Sequence, residues 1–262
     1  MKDILDLDRY PLDREDSPQW QAAVDRAAAE LQETGMFNLK QLMRPQAIKQ
    51  AVAELQSKMD TQSHTHSRRH NIYFLPDFNG VAPDHPALRE VESTNHTLCA
   101  DQLENSIVLA IYEYPPLLRF IAAVMGKPSL HMMKDPLARV NVMGYRDGEA
   151  LNWHFDRSEF TTTLLLQEPL EGGKFQYRSN LRSAQDPNYD GIADVLDGRD
   201  PQIKTLTLEA GTLNVFRGVN ALHRVTPVQG PQERMISIFS YYEKQDVTFS
   251  EEDSIGFYGR AS

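Results

Sequence analysis

The chain has 262 residues, of which 40% are hydrophobic and 24% charged, an ordinary globular composition with enough apolar material for a sizeable core. Lysine plus arginine number 27 against 37 for aspartate plus glutamate, and the net charge of -10 disfavours binding a phosphate backbone over a broad surface. The apolar runs are short and broken by charge, the N-terminus MKDILDLDRYPLDRED lacks an apolar secretory segment, and the single cysteine, Cys99, excludes an intramolecular disulfide. The expectation is a cytoplasmic protein that acts on small molecules, with neither nucleic acid nor membrane as partner.

Ser17-Pro18 has the form of an N-cap and first helical position, Trp20, Val24, Ala27, Ala28 and Leu31 recur at helical spacing, and Gly35 supplies a stop. MFNL, residues 36–39, reads as a short strand, and Pro45 opens a second helix with Ile48, Val52, Leu55 and Met59 on one apolar stripe. The polar stretch DTQSHTHSRRHN, residues 60–71, ends that regularity and reads as a loop able to close over a pocket. Its His64, His66 and His70 suggest a second metal site only weakly, since such stretches are normally mobile. Between residues 98 and 125 two further helices are expected, divided at Pro115-Pro116 and stopped by Gly126.

Past Pro136 the texture changes. LARVNVMGY, FTTTLLLQ, GKFQY, TLTL, GTLNVF, HRVTPV and MISIFSYY are short runs rich in Val, Thr, Phe and Leu, separated by Gly, Pro, Asn and Asp. They predict antiparallel strands with long connections, pointing to a jelly-roll double sheet and not to βαβ units. The insert from Arg178 to Asp200 contains DPNYDGIADVLDG, which suggests a short helix and a second candidate lid. The chain reads as a single domain over 1–262, with a mainly helical part over 1–130, a β core over 137–243 and a tail over 244–262.

His154 and Asp156, in LNWHFDRSEF, stand two positions apart. On a strand, side chains at i and i+2 project to one face, so the pair can share an ion; alone it is a weak signal, because a half-buried strand accounts for it equally well. His223, in NALHRVTPV, begins another expected strand and offers a third ligand. Two histidines and a carboxylate suit non-haem iron(II) with positions left open, and they also suit zinc. Arg234 heads RMISIFSYY, the strand expected beside the third ligand, where a buried guanidinium calls for an anion; the plainer alternative is pairing with a surface acid.

Taken together, His154-x-Asp156, His223 and Arg234 resemble the motif of the iron(II)/2-oxoglutarate-dependent oxygenases. YRDGEALNWHFD is similar to that family's Tyr-x-x-Gly-x-x-Leu-x-x-His-x-Asp, LEGGKFQY to its Gly-Gly turn before a central strand, and LEAGTLNVFRGVNALHRVTPVQGPQERMISIFSY to its last three core strands. The likeness spans residues 137–243. It implies a double-stranded β-helix, the cupin-like jelly roll, with N-terminal helices packed on it. It also implies Fe(II) held by His154, Asp156 and His223, with 2-oxoglutarate and O2 as cosubstrates and Arg234 on the distal carboxylate of 2-oxoglutarate. Tyr145 matches the family's tyrosine and is a candidate partner of 2-oxoglutarate, although a core tyrosine explains it as well; Thr163, in a threonine run, is another. Some relatives carry Ser two residues after the arginine, where this chain has Ile236, so a second anchor must come from elsewhere.

GGKFQYRSNLRS, the polar insert and the HRVTPVQG to ISIFSYYEK region are similar to the group of free-amino-acid halogenases and related hydroxylases. Those halogenases have Gly where this chain has Asp156, which frees a position for chloride. A carboxylate fills it, so the resemblance implies hydroxylation of an unactivated C–H bond in a small polar metabolite, a free amino acid or derivative first. Arg157 and Glu159, expected on one strand face, could meet the carboxylate and ammonium of a zwitterion, although a surface ion pair explains them. Trp153 could wall the pocket or simply pack in the core, and Arg217 and Asn220 are weaker candidates still. The rival readings are a protein or peptide side-chain hydroxylase and a non-catalytic jelly-roll module that binds 2-oxoglutarate.

Overall fold

In the computed structural model, which describes residues 1–75 and 81–261, the Ser17 hydroxyl accepts from the Trp20 amide and Gly35 takes the left-handed φ of 80° that closes a helix. Between these caps runs α1 (Pro18–Thr34), followed by β1 (Met36–Leu39) and α2 (Pro45–Gln62) as expected. The stretch expected as a loop is instead β2 (His64–His70), paired antiparallel with β3 (Val91–Leu98), from His64 opposite Thr97 to His70 opposite Val91. Residues 1–130 are therefore not simply helical, since they supply three strands of the largest sheet. A 3-10 turn at Ala100–Leu103 delays α3 (Ile107–Tyr112), and α4 (Pro115–Val124) starts at the paired prolines.

The remaining elements are β4 (His131–Met132), β5 (Val140–Tyr145), β6 (Leu151–His154), β7 (Thr161–Gln167), β8 (Glu171–Gly172), β9 (Phe175–Arg178), α5 (Tyr189–Leu196), β10 (Lys204–Leu206), β11 (Leu213–Phe216), β12 (Leu222–Val225), β13 (Val228–Gln229), β14 (Arg234–Phe239), β15 (Tyr241–Tyr242) and α6 (Glu251–Tyr258). Helix α5 is the short helix expected in the insert, and α6 gives structure to the tail, whose last residue, Ser262, lies outside the described residues.

Seven strands form one sheet in the order β1-β11-β7-β14-β5-β3-β2 and four form a second in the order β10-β9-β12-β6, with antiparallel pairing throughout. One face of the large sheet carries Val140, Val142, Leu164, Leu166, Leu213 and Val215 into a core shared with α1, α2, α3 and α4. On α2 the buried stripe is Ala47, Ala51, Leu55 and Met59, while Ile48 and Val52 sit at its margin. The opposite face looks onto the small sheet. Phe216 packs there with Phe175 and Val225, and Tyr145 and Ile236 pack with Leu151. Alternation along β5 sends Asn141, Met143 and Tyr145 toward the space between the sheets and their neighbours toward the helices. Among the described residues no helix is long and apolar enough to cross a membrane.

Candidate metal centre

Strands β6 and β12 run side by side in the small sheet with His154 directly opposite His223, their rings 4.2 Å apart. β6 ends at His154, and the chain then brings Asp156 round so that its Oδ1 lies 3.4 Å from Nε2 of His154 and 3.5 Å from Nε2 of His223. The three ligand atoms all fall within 4.8 Å of one another, the one such cluster of His, Cys, Asp and Glu among the described residues. Each ring places Nδ1 on the carbonyl two residues upstream, His154 on Asn152 at 2.7 Å and His223 on Ala221 at 2.9 Å. A carbonyl only accepts, so Nδ1 carries the proton and Nε2 turns a lone pair to the centre. Two imidazole nitrogens and one carboxylate oxygen converging this way fit iron(II).

Burial alone would raise the Asp156 carboxyl, but His223 and then His154 more than offset it and hold it well below the usual carboxylate range. Burial and the neighbouring His223 lower His154, whereas the Asp156 carboxylate outweighs the burial of His223 and raises it. The carboxylate is thus anionic and ready to neutralise a cation. His64, His66 and His70 do not converge in this way: they are spaced along β2, with His70 Nε2 on Ser93 Oγ at 2.7 Å and the His66 ring against Phe257.

The centre opens onto a cavity of about 870 Å³ between the sheets. Arg234, the first residue of β14, is 3% exposed and pairs across the sheet with Tyr145, its guanidinium 5.8 Å from the centre of that ring. Burial pulls its basicity down and no carboxylate among the described residues offsets the loss, so the guanidinium is suited to an anionic partner. Burial pushes the Tyr145 phenol up to about 12, which keeps it a donor, and among the described residues its hydroxyl reaches the Met143 sulfur at 3.9 Å. Thr163 lines the same space from β7, its hydroxyl 3.5 Å from the Asn214 carbonyl. The Gly-Gly turn fits closely here, since a Cβ on Gly173 would lie 3.0 Å from Cδ of Arg234.

The expected substrate residues are placed differently. Arg157 and Glu159 both line the cavity, but not from one strand face, because β6 has already ended; Arg157 pairs with Asp253 of α6 at 2.9 Å and Glu159 with Lys127 at 3.0 Å. Trp153 turns away from the cavity by the alternation that turns His154 into it, and packs beside Phe155 and Leu222 under Arg224. Arg217 lies over Phe160, and neither it nor Asn220 lines the cavity.

Two residues went unread in the sequence. Arg68 lines the cavity from β2, over the Phe74 ring at 5.3 Å and 3.5 Å from the Phe74 carbonyl, while its outward neighbour Arg69 takes Glu90. Phe74 stacks on His70 and meets the His154 ring edge-on at 5.5 Å, so one aromatic ring separates the Arg68 guanidinium from a candidate ligand. The available signal was the period-2 run His64, His66, Arg68, His70. The second is Gly218, where a Cβ would lie 2.0 Å from Oδ2 of Asp156.

Solved structures share this arrangement of helices and sheets. The 2OG-Fe(II) oxygenase family oxidoreductase of Burkholderia pseudomallei matches with a TM-score of 0.52 over 86% of this chain and 92% of its own, at 12% identity. The alpha-ketoglutarate-dependent epimerase SnoN from nogalamycin biosynthesis matches with 0.57 over 85% and 81%, at 16% identity. HygX from Streptomyces hygroscopicus, solved with nickel and 2-oxoglutarate, matches with 0.54 over 83% and 86%, at 13% identity. The fold is that of the iron(II)/2-oxoglutarate oxygenases, a class of enzymes. Within it, residues 19–254 match halogenase D, and the chain belongs to that family. No curated protein sequence matches it.

Proposed function

We propose that this chain is an iron(II)- and 2-oxoglutarate-dependent dioxygenase that hydroxylates an unactivated C–H bond of a small polar metabolite, a free amino acid or derivative. The observation that carries the reading is one cavity walled by His154, Asp156 and His223, by the anion-seeking Arg234, and by a second guanidinium, Arg68, that has no carboxylate partner among the described residues. In this reading the whole chain, 1–262, works as one cytoplasmic oxygenase domain, and its two facing sheets are a double-stranded β-helix.

His154, Asp156 and His223 would hold iron(II), Arg234 with Tyr145 opposite it would take the distal carboxylate of 2-oxoglutarate, and Thr163, farther along the same sheet, would face the rest of that cosubstrate. Iron(II) and 2-oxoglutarate, when bound, supply the oxidation of a C–H bond by O2. Two neutral imidazoles and one carboxylate leave such a site at +1, which favours a dianionic cosubstrate. Arg68 suits a bidentate grip on a substrate carboxylate and orients the rest of that molecule past Phe74 toward His154. Phe257 and Tyr258 of α6 roof the cavity, which favours a small molecule over a peptide lying in a groove. The Asp156 carboxylate fills the position a halide would need, so hydroxylation is the favoured outcome in a family named for halogenation.

The test is an anaerobic titration with iron(II) and 2-oxoglutarate, followed by a panel of free amino acids. A weak visible charge-transfer band that one amino acid shifts, with succinate formed as that amino acid is consumed in air, is the expected result. A folded, iron-loaded protein without the band would sink the cosubstrate assignment.

A further inference from the structure

We infer that Thr161 is a positioning residue that holds Asp156 as a one-oxygen ligand, so that the large sheet fixes one third of a metal centre whose histidines belong to the small sheet. The inference rests on the metal reading proposed above.

His154 and His223 are held by strand pairing, but Asp156 lies past the end of β6 and has no strand of its own. Its position is set from the other sheet. Thr161, the first residue of β7, donates its hydroxyl to Oδ2 of Asp156 at 2.5 Å and sits opposite Phe216, the last residue of β11. Two residues beyond Phe216, the carbonyl of Gly218 accepts from the Asp156 amide at 3.2 Å. Gly218 also closes on the carboxylate, since a Cβ there would lie 2.0 Å from Oδ2 and 2.7 Å from Cγ. Oδ2 is therefore enclosed by a hydroxyl and a glycine, and Oδ1 alone faces both imidazole Nε2 atoms.

The difference between one oxygen and two matters for coordination number. Two imidazoles, one carboxylate oxygen and a chelating 2-oxoacid fill five of six positions, leaving one for oxygen. A carboxylate that could swing its second oxygen onto the metal would fill the sixth. Thr161 prevents the swing by occupying Oδ2, in a slot that stays open only because residue 218 has no Cβ.

The experiment uses cobalt(II) as a spectroscopic stand-in for iron(II), titrated alone and then with 2-oxoglutarate into the wild-type chain and the variants Thr161→Val and Thr161→Ser. Valine keeps the shape and loses the donor; serine keeps the donor. The expected result is that Thr161→Val binds cobalt about tenfold more weakly, as loss of a hydrogen bond to a charged group would give. Its ligand-field bands should shift to the weaker intensity of higher coordination number, while Thr161→Ser stays like wild type. Metal-free melting curves should coincide for all three, which separates the clamp from simple loss of fold. Gly218→Ala, which drives the carboxylate from its slot, should weaken cobalt binding further. Thr161→Val with the wild-type affinity and spectrum would overturn the inference while leaving the metal reading intact. Wild-type protein that takes up no cobalt would overturn both.

Discussion

Arg68 and Arg234 are both guanidiniums on one cavity, and neither has a carboxylate partner among the described residues. Their positions divide the work: Arg234 faces Tyr145 on the β14 side, whereas Arg68 lies one phenyl ring from His154 on the β2 side. A charge-assisted hydrogen bond is worth about 1.5–3 kcal/mol, so Arg68→Gln should raise the KM of the carboxylate-bearing substrate by roughly ten- to a hundredfold. The same change should leave the charge-transfer band and the half-saturation for 2-oxoglutarate where they were, and Arg234→Gln should do the reverse. Steady-state kinetics with each substrate varied in turn checks this, and equal effects on both constants would count against the division. The His154, Asp156 and His223 cluster was legible because the spacing of His-x-Asp, a distant His and a following Arg resembles a known motif, although Asp156 reaches the cluster from beyond the end of β6 and not from a strand face. Arg68 was not, because nothing in a single sequence says which of Arg68 and Arg69 turns inward once the strand itself is missed.

Strand β2 was missed for a physical reason. A half-buried strand normally announces itself by apolar residues at every second position, but β2 turns His64, His66, Arg68 and His70 inward and Thr65, Ser67 and Arg69 outward. The polar wall that β2 gives the cavity reverses the usual pattern, so a segment with polar residues on both faces reads as a loop. Strand β3 does the same with Ser93, Asn95 and Thr97 on the cavity. The strands past Pro136 stayed legible because their helix-facing positions are apolar, and α1 stayed legible because its caps are chemical signals that need no burial. Helix α6 had neither advantage. What fixes it is Tyr258, buried beside Cys99 and Met133, whose hydroxyl donates to Oδ1 of Asn141 at 2.9 Å. Tyr258→Phe leaves that buried acceptor short of a donor and should cost about 1–3 kcal/mol. Chemical denaturation should show the loss as a lower midpoint with an unchanged slope, and hydrogen exchange should place the loosening in α6; an unaltered midpoint would mean that packing alone holds the helix.

At the scale of the whole molecule, one buried carboxyl and the metal site set how stability responds to conditions. Glu233 is 8% exposed, its Oε1 has no hydrogen-bond partner among the described residues and lies 3.6 Å from Arg146, and burial raises its carboxyl more than Arg146 and His96 lower it. A raised carboxyl keeps its proton in the folded chain where the unfolded chain has lost it, so stability falls as pH rises from the ordinary value of 4.5 through the folded one. Glu233→Gln should remove that decline, giving a Tm advantage at neutral pH that vanishes below the ordinary value; parallel Tm profiles would show that Arg146 already compensates the charge. The metal centre adds a larger, reversible term. An ion on His154, Asp156 and His223 would touch β6 and β12 directly and, through Thr161 and Gly218, the ends of β7 and β11, and so would tie the two sheets together. A ligand that binds only the folded chain stabilises it by about 2.7 kcal/mol at a hundredfold excess over its Kd. For a chain of this size that is a rise in Tm of about 5–10 °C. Anaerobic iron(II) should produce it and EDTA should reverse it, with 2-oxoglutarate adding a further increment that Arg234→Gln abolishes. Asp156→Ala, which leaves two imidazoles and no link to the large sheet, should lose most of the iron-induced rise. If that variant gains as much as the wild type, the ion binds elsewhere and the sheets are not joined through Asp156.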